Sequence, residues 1–311
     1  AFFAAIEERE HPELRGKPIA VGGGLEKRTV IATCSYEARA LGVKTAMATW
    51  EALRICPQLI VVKGRINHYA NISKQIFSHL TNYSDLVEIF SIDEAFVDVT
   101  HSEHLFGGAR AIAERIQKEV REKVQLTCSI GIGPSKLMAK LASGMKKPNG
   151  MTEIPASKVP AVLKDLPVEE LCGIGHQIQK HLSRIGVKTV GELGKISRER
   201  LIRRFRPALG EWLWRVGRGE DGSSVHSYTR FDAAKSMGHS YTLPENFADR
   251  EIVKTYLLQL SEQVGARLRK GNYRGHIVTL IVRYADFDTL SFQHDLHYYT
   301  QDGFAIYQSA C

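Results

Sequence analysis

The run from Val87 to Val99, Val-Glu-Ile-Phe-Ser-Ile-Asp-Glu-Ala-Phe-Val-Asp-Val, sets two carboxylates, Asp93 and Glu94, side by side in a largely apolar stretch. Burying two adjacent negative charges is costly unless a cation compensates them. Neighbours on a regular strand face opposite ways, so both can serve one site only where the alternation breaks. Two strand-like runs meeting near Ser91 predict such a break, a hairpin turn. Carboxylates at a turn suit Mg²⁺, which takes a few hard oxygen ligands and fills its shell with phosphate and water. An exposed acidic turn is the competing reading of these residues in isolation.

Charge is segregated along the chain. Residues 1–134 balance 16 basic against 16 acidic side chains, 135–230 carry 18 against 9, and 231–311 carry 8 against 9. The whole net charge of +8 therefore traces to the third quarter. A local basic block on a near-neutral protein points to a polyanionic partner, with a solubilising face as the plainer alternative. Apolar residues at 43% and charged residues at 24% exclude collagen, a disulfide-rich miniprotein and wholesale disorder. The length of 311 residues predicts about two domains on a prior of about 150 residues each. No run of about 18 apolar residues predicts a membrane span, and the start lacks the basic region of a signal peptide. The cysteines, Cys34, Cys56, Cys128, Cys172 and Cys311, are isolated and odd in number. They predict reduced thiols in a cytoplasm and no cysteine zinc site. The pairs His101/His104 and His294/His297 lack third and fourth ligands nearby, so neither predicts a metal site.

Hydrophobic periodicity predicts small elements over the first 65 residues: helices at 4–14, 36–41 and 50–55, and strands at 18–21, 30–34 and 59–62. A helix at 69–83, strands within 87–99, a helix at 109–124, a strand at 126–132 and a helix from Ser135 to Ser143 come next. That succession predicts an α+β domain with an antiparallel sheet and helices on one face. Residues 156–230 read as short helices broken by Gly and Pro. A strand at 236–241, a helix at 250–270, strands at 277–284 and 289–297 around a turn at 285–288, and the opening of a final helix complete the chain.

Several segments could grip phosphate. Tyr36 and Arg39 lie three apart on one helix face and suit a triphosphate, or form an ordinary surface pair. The runs Gly22-Gly23-Gly24 and Gly131-Ile-Gly133-Pro-Ser-Lys136 lack Walker A spacing. Lys147 follows a helix in a basic turn that either presents it to phosphate or simply stops the helix. Gly173-Ile-Gly175, inside the basic block, lets a tight turn aim backbone N–H groups from a helix start without a Cβ in the way. A plain helical corner is the alternative there.

In order and spacing, six motifs together resemble the Y family of translesion DNA polymerases. They are Ala1-Phe-Phe3-Ala, Ala32-Thr-Cys-Ser-Tyr36-Glu-Ala-Arg39, Ser91-Ile-Asp93-Glu94-Ala95, Gly131-Ile-Gly133-Pro-Ser-Lys136, Lys147-Pro-Asn-Gly150 and Gly173-Ile-Gly175. The resemblance covers essentially the whole chain. It implies a right-hand α+β polymerase: small fingers at 2–64, an antiparallel-sheet palm at 65–155, a helical thumb with a helix-hairpin-helix at 156–230, and an α/β little finger at 235–311.

The resemblance also implies roles. Asp93 and Glu94 would be catalytic and would hold two Mg²⁺ ions. Phe3 would be the steric gate against a ribose 2′-hydroxyl. Thr33, Tyr36, Arg39 and Lys147 would hold the dNTP, and Gly173, Gly175 and Lys136 would contact DNA. The implied activity is low-fidelity, template-directed DNA synthesis in translesion repair by a cytoplasmic bacterial monomer. Its partners would be primer–template DNA, dNTP and a sliding clamp. The family pattern has an acidic metal ligand three residues before Ala1 and further little-finger elements after Cys311, so the resemblance implies trimming at both ends and a chain that binds primer–template but is nearly inert without the upstream Asp. Two rivals remain at this point: a non-catalytic DNA-binding scaffold on the same fold, separated by the residues preceding Ala1, and a two-metal nuclease, separated by nucleotide dependence.

Overall fold

The computed structural model describes residues 1–25, 28–229 and 234–311. Helix α1 (Phe2–Glu10) stops at His11, and Pro12, which has no N–H to donate, opens a single 3-10 turn. Strand β1 (Ile19–Gly22) is flanked by β2 (Ile31–Cys34), antiparallel, and later by β3 (Ile60–Lys63), parallel. Between β2 and β3 lie α2 (Tyr36–Ala40), capped by the Ser35 hydroxyl, and α3 (Thr49–Ile55). The pleat of β1 divides two cores. Ile19 and Val21 pack with Ile6, Tyr69 and Ile72, while Ala20 packs with Ile31, Cys34 and Ala52.

Helix α4 (Ile66–Leu80) buries the stripe Tyr69, Ile72 and Phe77, starting and ending three residues before the expected bounds. Strands β4 (Val87–Ser91) and β5 (Glu94–Val97) form an antiparallel hairpin with a register shift between Ile89 and Ser91. Helix α5 (Glu103–Phe106) and helix α6 (Ala109–Glu119) follow, and α6 runs into one wider π turn, Val120–Val124.

The strand expected at 126–132 shortens to β6 (Ile130–Ile132). The Gln117 side-chain amide donates to the Cys128 carbonyl at 3.0 Å, satisfying there a group that a strand would have paired. After β6 the chain crosses through α7 (Lys136–Met145) to β7 (Met151–Glu153), and that helical crossover makes the β6–β7 pairing parallel. The expected antiparallel pairing is the β4–β5 hairpin. A Cβ on Gly131 would sit 2.0 Å from the Ala139 carbonyl oxygen, and one on Gly133 would sit 2.8 Å from the Ala139 nitrogen. This glycine pair lets α7 lie against β6.

Helices α8 (Val159–Lys164), α9 (His176–Ser183), α10 (Val190–Gly194), α11 (Arg198–Phe205) and α12 (Pro207–Val216) share one core around Leu163, Leu182, Leu193 and Leu213. That core takes in Leu137 and Met138 of α7, so packing runs unbroken across residue 155. Arg230, the end of the expected helical region, lies outside the described residues.

Helix α13 (Arg250–Lys270) matches its expected bounds and is capped by Asp249. Strands β8 (Gly275–Arg283) and β9 (Thr289–Thr300) form a long hairpin, and α14 (Gly303–Ala310) follows. The strand expected at 236–241 does not form. That segment is fastened to α13: Arg267 donates to the Gly238 carbonyl at 2.6 Å, and Tyr241 stacks on Tyr256 with ring centroids 5.7 Å apart.

A charged brace ties α1 to α4. Glu10 accepts from His68 at 2.5 Å and from Arg65 at 2.6 Å. Burial opposes the charge on Glu10, but hydrogen bonds from His68, Arg9 and Arg65 outweigh it and hold its pKa down at about 2. A folded pKa below the unfolded value near 4.5 gives stability that is present above pH 4.5 and lost as pH falls towards 2. Glu10→Gln is therefore expected to destabilise the protein by about 1–2 kcal/mol at neutral pH, after allowance for solvent screening of Arg65. The deficit should fade over that acid window, which denaturant titrations across pH will measure.

Candidate active site and nucleic-acid grip

Ile92 and Asp93 form the turn of the β4–β5 hairpin, with Ser91 paired to Glu94 across it. Asp93 stands in the turn and Glu94 opens β5, so the alternation breaks where two adjacent carboxylates need it to. Asp93 is exposed, and its Oδ1 accepts from the Ser91 hydroxyl at 2.8 Å. Glu94 is half-buried and ion-paired with Lys140 of α7. The Lys140 ammonium also lies 5.1 Å from the centroid of the Phe90 ring. One turn earlier on α7, Lys136 contacts both carboxylate oxygens of Glu88, at 2.7 and 2.8 Å, and lies over Phe96. Lys136, expected on DNA, is 16% exposed and paired here with Glu88.

The other sequence-predicted residues gather near the start of the chain. Thr33 is buried in β2, while Tyr36 and Arg39 project from α2 into solvent, the guanidinium 5.5 Å from the Tyr36 ring centroid. Lys147 is exposed just beyond α7. Burial lowers the pKa of the Ala1 amino group; Arg39 and then Lys147 lower it further, against Asp93 and Cys34, which raise it. Charges from α2, the acid turn and the basic turn thus act on one point. Phe3 is on α1 beside that point, its ring stacked on Tyr69 with centroids 4.4 Å apart and planes 15° apart.

Two features of this neighbourhood escaped the sequence reading. Lys140 is one, and its signal was the four-residue spacing from Lys136 on a helix flanking the acid strands. The buried Glu7–Tyr69 pair behind Phe3, closed by the exposed Arg65, is the other. Its signals were the spacings Phe3/Glu7 and Arg65/Tyr69.

The glycine hairpin stands apart, at the N-terminus of α9. Gly173 takes φ +99°, and a Cβ there would meet the Trp212 ring of α12 at 2.7 Å. Gly175 is the N-cap, with φ −80° and open space beside it. The N–H groups of both glycines have no backbone partner among the described residues and remain available to a phosphate.

The donor chemistry fits a divalent cation. Two neighbouring carboxylates supply hard oxygens, and the cations Arg39 and Lys147 act with Asp93 on the Ala1 amino group. No group of three or more His, Cys, Asp or Glu side chains converges among the described residues. Mg²⁺ takes hard oxygen ligands of this kind and fills its shell with phosphate and water.

Comparison with known proteins bears directly on this arrangement. Residues 1–144 match the impB/mucB/samB family model, 234–311 match the C-terminal domain model of that family, and 169–221 match a model described as DNA polymerase-iota, thumb domain. DNA polymerase IV of Listeria welshimeri is 39% identical over 310 residues, spanning all of this chain and 86% of the relative. The chain belongs to the Y family of DNA polymerases. DNA polymerase IV of Moorella thermoacetica is 38% identical, over 78% of its length. A Dbh–Dpo4 Y-family chimera superposes with a TM-score of 0.88 at 29% identity, over 99% of this chain and 88% of that one. DinB from Sulfolobus solfataricus gives 0.68 at 29% identity, over 99% and 89%.

As a Y-family polymerase, the protein is a DNA-directed DNA polymerase of the translesion class, with the expected right-hand fold and a helix-hairpin-helix thumb. It binds DNA and dNTP, and polymerases of this family use divalent metal ions. The scaffold and nuclease readings are not favoured. Among the described residues no helix is long and apolar enough to cross a membrane.

Gly173→Ala should push the hairpin off Trp212 and weaken primer–template binding, on the order of tenfold at fixed salt. Trp212→Ala in the same chain should restore part of that loss. Fluorescence anisotropy with labelled DNA measures both.

Proposed function

We propose that Asp93 and Glu94 hold two Mg²⁺ ions against the triphosphate of an incoming dNTP paired to a template base. When bound, these ions would lower the pKa of the primer hydroxyl and offset charge on the phosphates during in-line displacement. Thr33 donates its hydroxyl to the triphosphate, Tyr36 and Arg39 clamp it from α2, and Lys147 approaches it from the basic turn. Phe3 closes the sugar side of the pocket and excludes a 2′-hydroxyl. The Gly173–Gly175 hairpin holds a backbone phosphate through N–H groups, a grip that ignores base sequence. In this reading residues 2–64 are fingers, 65–155 palm, 156–230 thumb and 235–311 little finger. The enzyme works as a monomer in a bacterial cytoplasm, a reducing setting that its free cysteines suit.

The observation that carries this reading is the β4–β5 turn, which puts exposed Asp93 beside Glu94, with Arg39, Lys147 and Asp93 all acting electrostatically on the Ala1 amino group. Those three charges come from segments far apart in sequence, and an anion bridged by cations satisfies all of them together. Primer extension with Mg²⁺ and a matched dNTP tests it. Asp93→Asn should reduce extension by on the order of a thousandfold while leaving primer–template affinity within about twofold. Undiminished extension by that variant rejects the assignment, and primer degradation without added nucleotide favours a nuclease.

A further inference from the structure

Four side chains at the junction of α1 and α4 form the corners of a square. Phe3 and Glu7 lie four residues apart on one face of α1. Arg65, the N-cap of α4, and Tyr69, one turn inside it, lie four apart on the facing helix. Tyr69 is fully buried and spans the square: its ring stacks on Phe3, and its hydroxyl donates to Glu7 Oε1 at 2.6 Å. Glu7 is 1% exposed, and Arg65 closes the last side, donating to it through Nε at 3.1 Å and Nη2 at 2.9 Å. Arg65 also donates to Glu10 at 2.6 Å, which fixes the guanidinium from a second direction.

A carboxylate buried this deeply is expensive, and a hydrophobic contact of similar volume would hold two helices together more cheaply. What a hydrophobic contact lacks is direction. The hydrogen bond from the Tyr69 hydroxyl fixes the tilt of its ring about the α4 axis, and the near-parallel stack hands that tilt on to Phe3. Burial and then Glu7 push the Tyr69 hydroxyl pKa up to about 12, so it remains a donor throughout the working range.

We propose that Glu7, held by Arg65, is a positioning residue for sugar selection, fixing the plane of the Phe3 ring through Tyr69. The inference rests on the reading of Phe3 as the sugar gate. A ring free to tilt by even a few tenths of an ångström at its edge opens room for a 2′-hydroxyl, while a pinned ring keeps that room closed.

The test measures the affinity of a matched dNTP and of its ribonucleotide for the protein on a primer–template with a dideoxy-terminated primer. Tyr69→Phe removes the hydroxyl tie but keeps a stacking ring, and Glu7→Gln removes the charge that Arg65 holds. Each is expected to lower the dNTP-to-ribonucleotide preference about three- to tenfold. The double variant should lose no more than the larger single effect, because both act through one tie. Tyr69→Leu, which removes the stack, should lose more. A brace that only supports the fold would lower thermal stability and leave the preference unchanged. If Glu7→Gln does not fold, Tyr69→Phe alone decides the matter.

Phe3→Ala separates the two levels of the argument. If Phe3→Ala lowers the preference while Tyr69→Phe and Glu7→Gln stay within twofold of the parent, the positioning role is overturned and the gate stands. If Phe3→Ala also leaves the preference unchanged, the gate reading fails and the positioning role fails with it.

Discussion

Two carboxylates on adjacent residues repel each other, and at the tip of the β4–β5 hairpin that repulsion is met unequally. At a separation of about 4 Å and an effective dielectric near 20, two unit charges cost about 4 kcal/mol. Lys140 neutralises Glu94 from α7, whereas Asp93 accepts a hydrogen bond from the Ser91 hydroxyl and faces solvent. The pair is therefore met by an ammonium on the Glu94 side and by a hydroxyl and solvent on the Asp93 side. That imbalance suits a site whose cation arrives with its substrate. It also explains why the turn sits at Ile92-Asp93: one residue further along, both carboxylates would lie on a regular strand and point apart.

Helix α7 is what holds this balance in place. Its lysines one turn apart meet Glu88 and Glu94, so the spacing of the helix is matched against the register of the hairpin. The match requires α7 to lie close to β6, and Gly131 and Gly133 make that approach possible by offering no Cβ. The sequence reading recognised these glycines as failing a phosphate-loop pattern and as part of one family motif, without a role for either. Their role is steric and one element removed from the chemistry, and no local motif advertises it.

The legible parts of the chain were those whose signal is local. Helix α13 matched its expected range because a capping Asp249 and the Gly271 stop bracket a long helical stretch. The hairpin with the acid pair was legible because apolar runs on both sides leave few other folds. The segment 236–241 alternates like a strand, but its fate was decided by Arg267 and Tyr256 on a helix that comes later in the chain. The Glu88 partner of Lys136 was hidden for a similar reason: a lysine in a basic block invites a phosphate, and only the fold puts Glu88 beside it, 48 residues earlier. The Glu7–Arg65 pair, 58 residues apart, shows in sequence only as two separate four-residue spacings, Phe3/Glu7 and Arg65/Tyr69, which only the fold brings together.

Glu88 carries one further consequence of this layout. Besides Lys136 it accepts from the backbone N–H of His226 at 3.0 Å, and Lys136 in turn donates to the Ser224 carbonyl at 3.3 Å. Asp221 accepts from the Leu137 N–H at 3.0 Å, satisfying one of the orphan donors at the start of α7, while Ser135 serves Met138. The segment leaving the thumb is thus laid along the same helix and strand that hold the acid pair. Burial works against the charge on Glu88, yet Lys136 and the His226 N–H together keep its pKa below the ordinary carboxylate range. Lifting that segment would leave Glu88 with one donor fewer and Leu137 with an unpaired N–H, both at the end of α7 from which Lys140 reaches Glu94. The path of the chain from Asp221 to His226 is therefore tied to the charges of Glu88 and Lys136, groups that also fix the helix beside the acid turn.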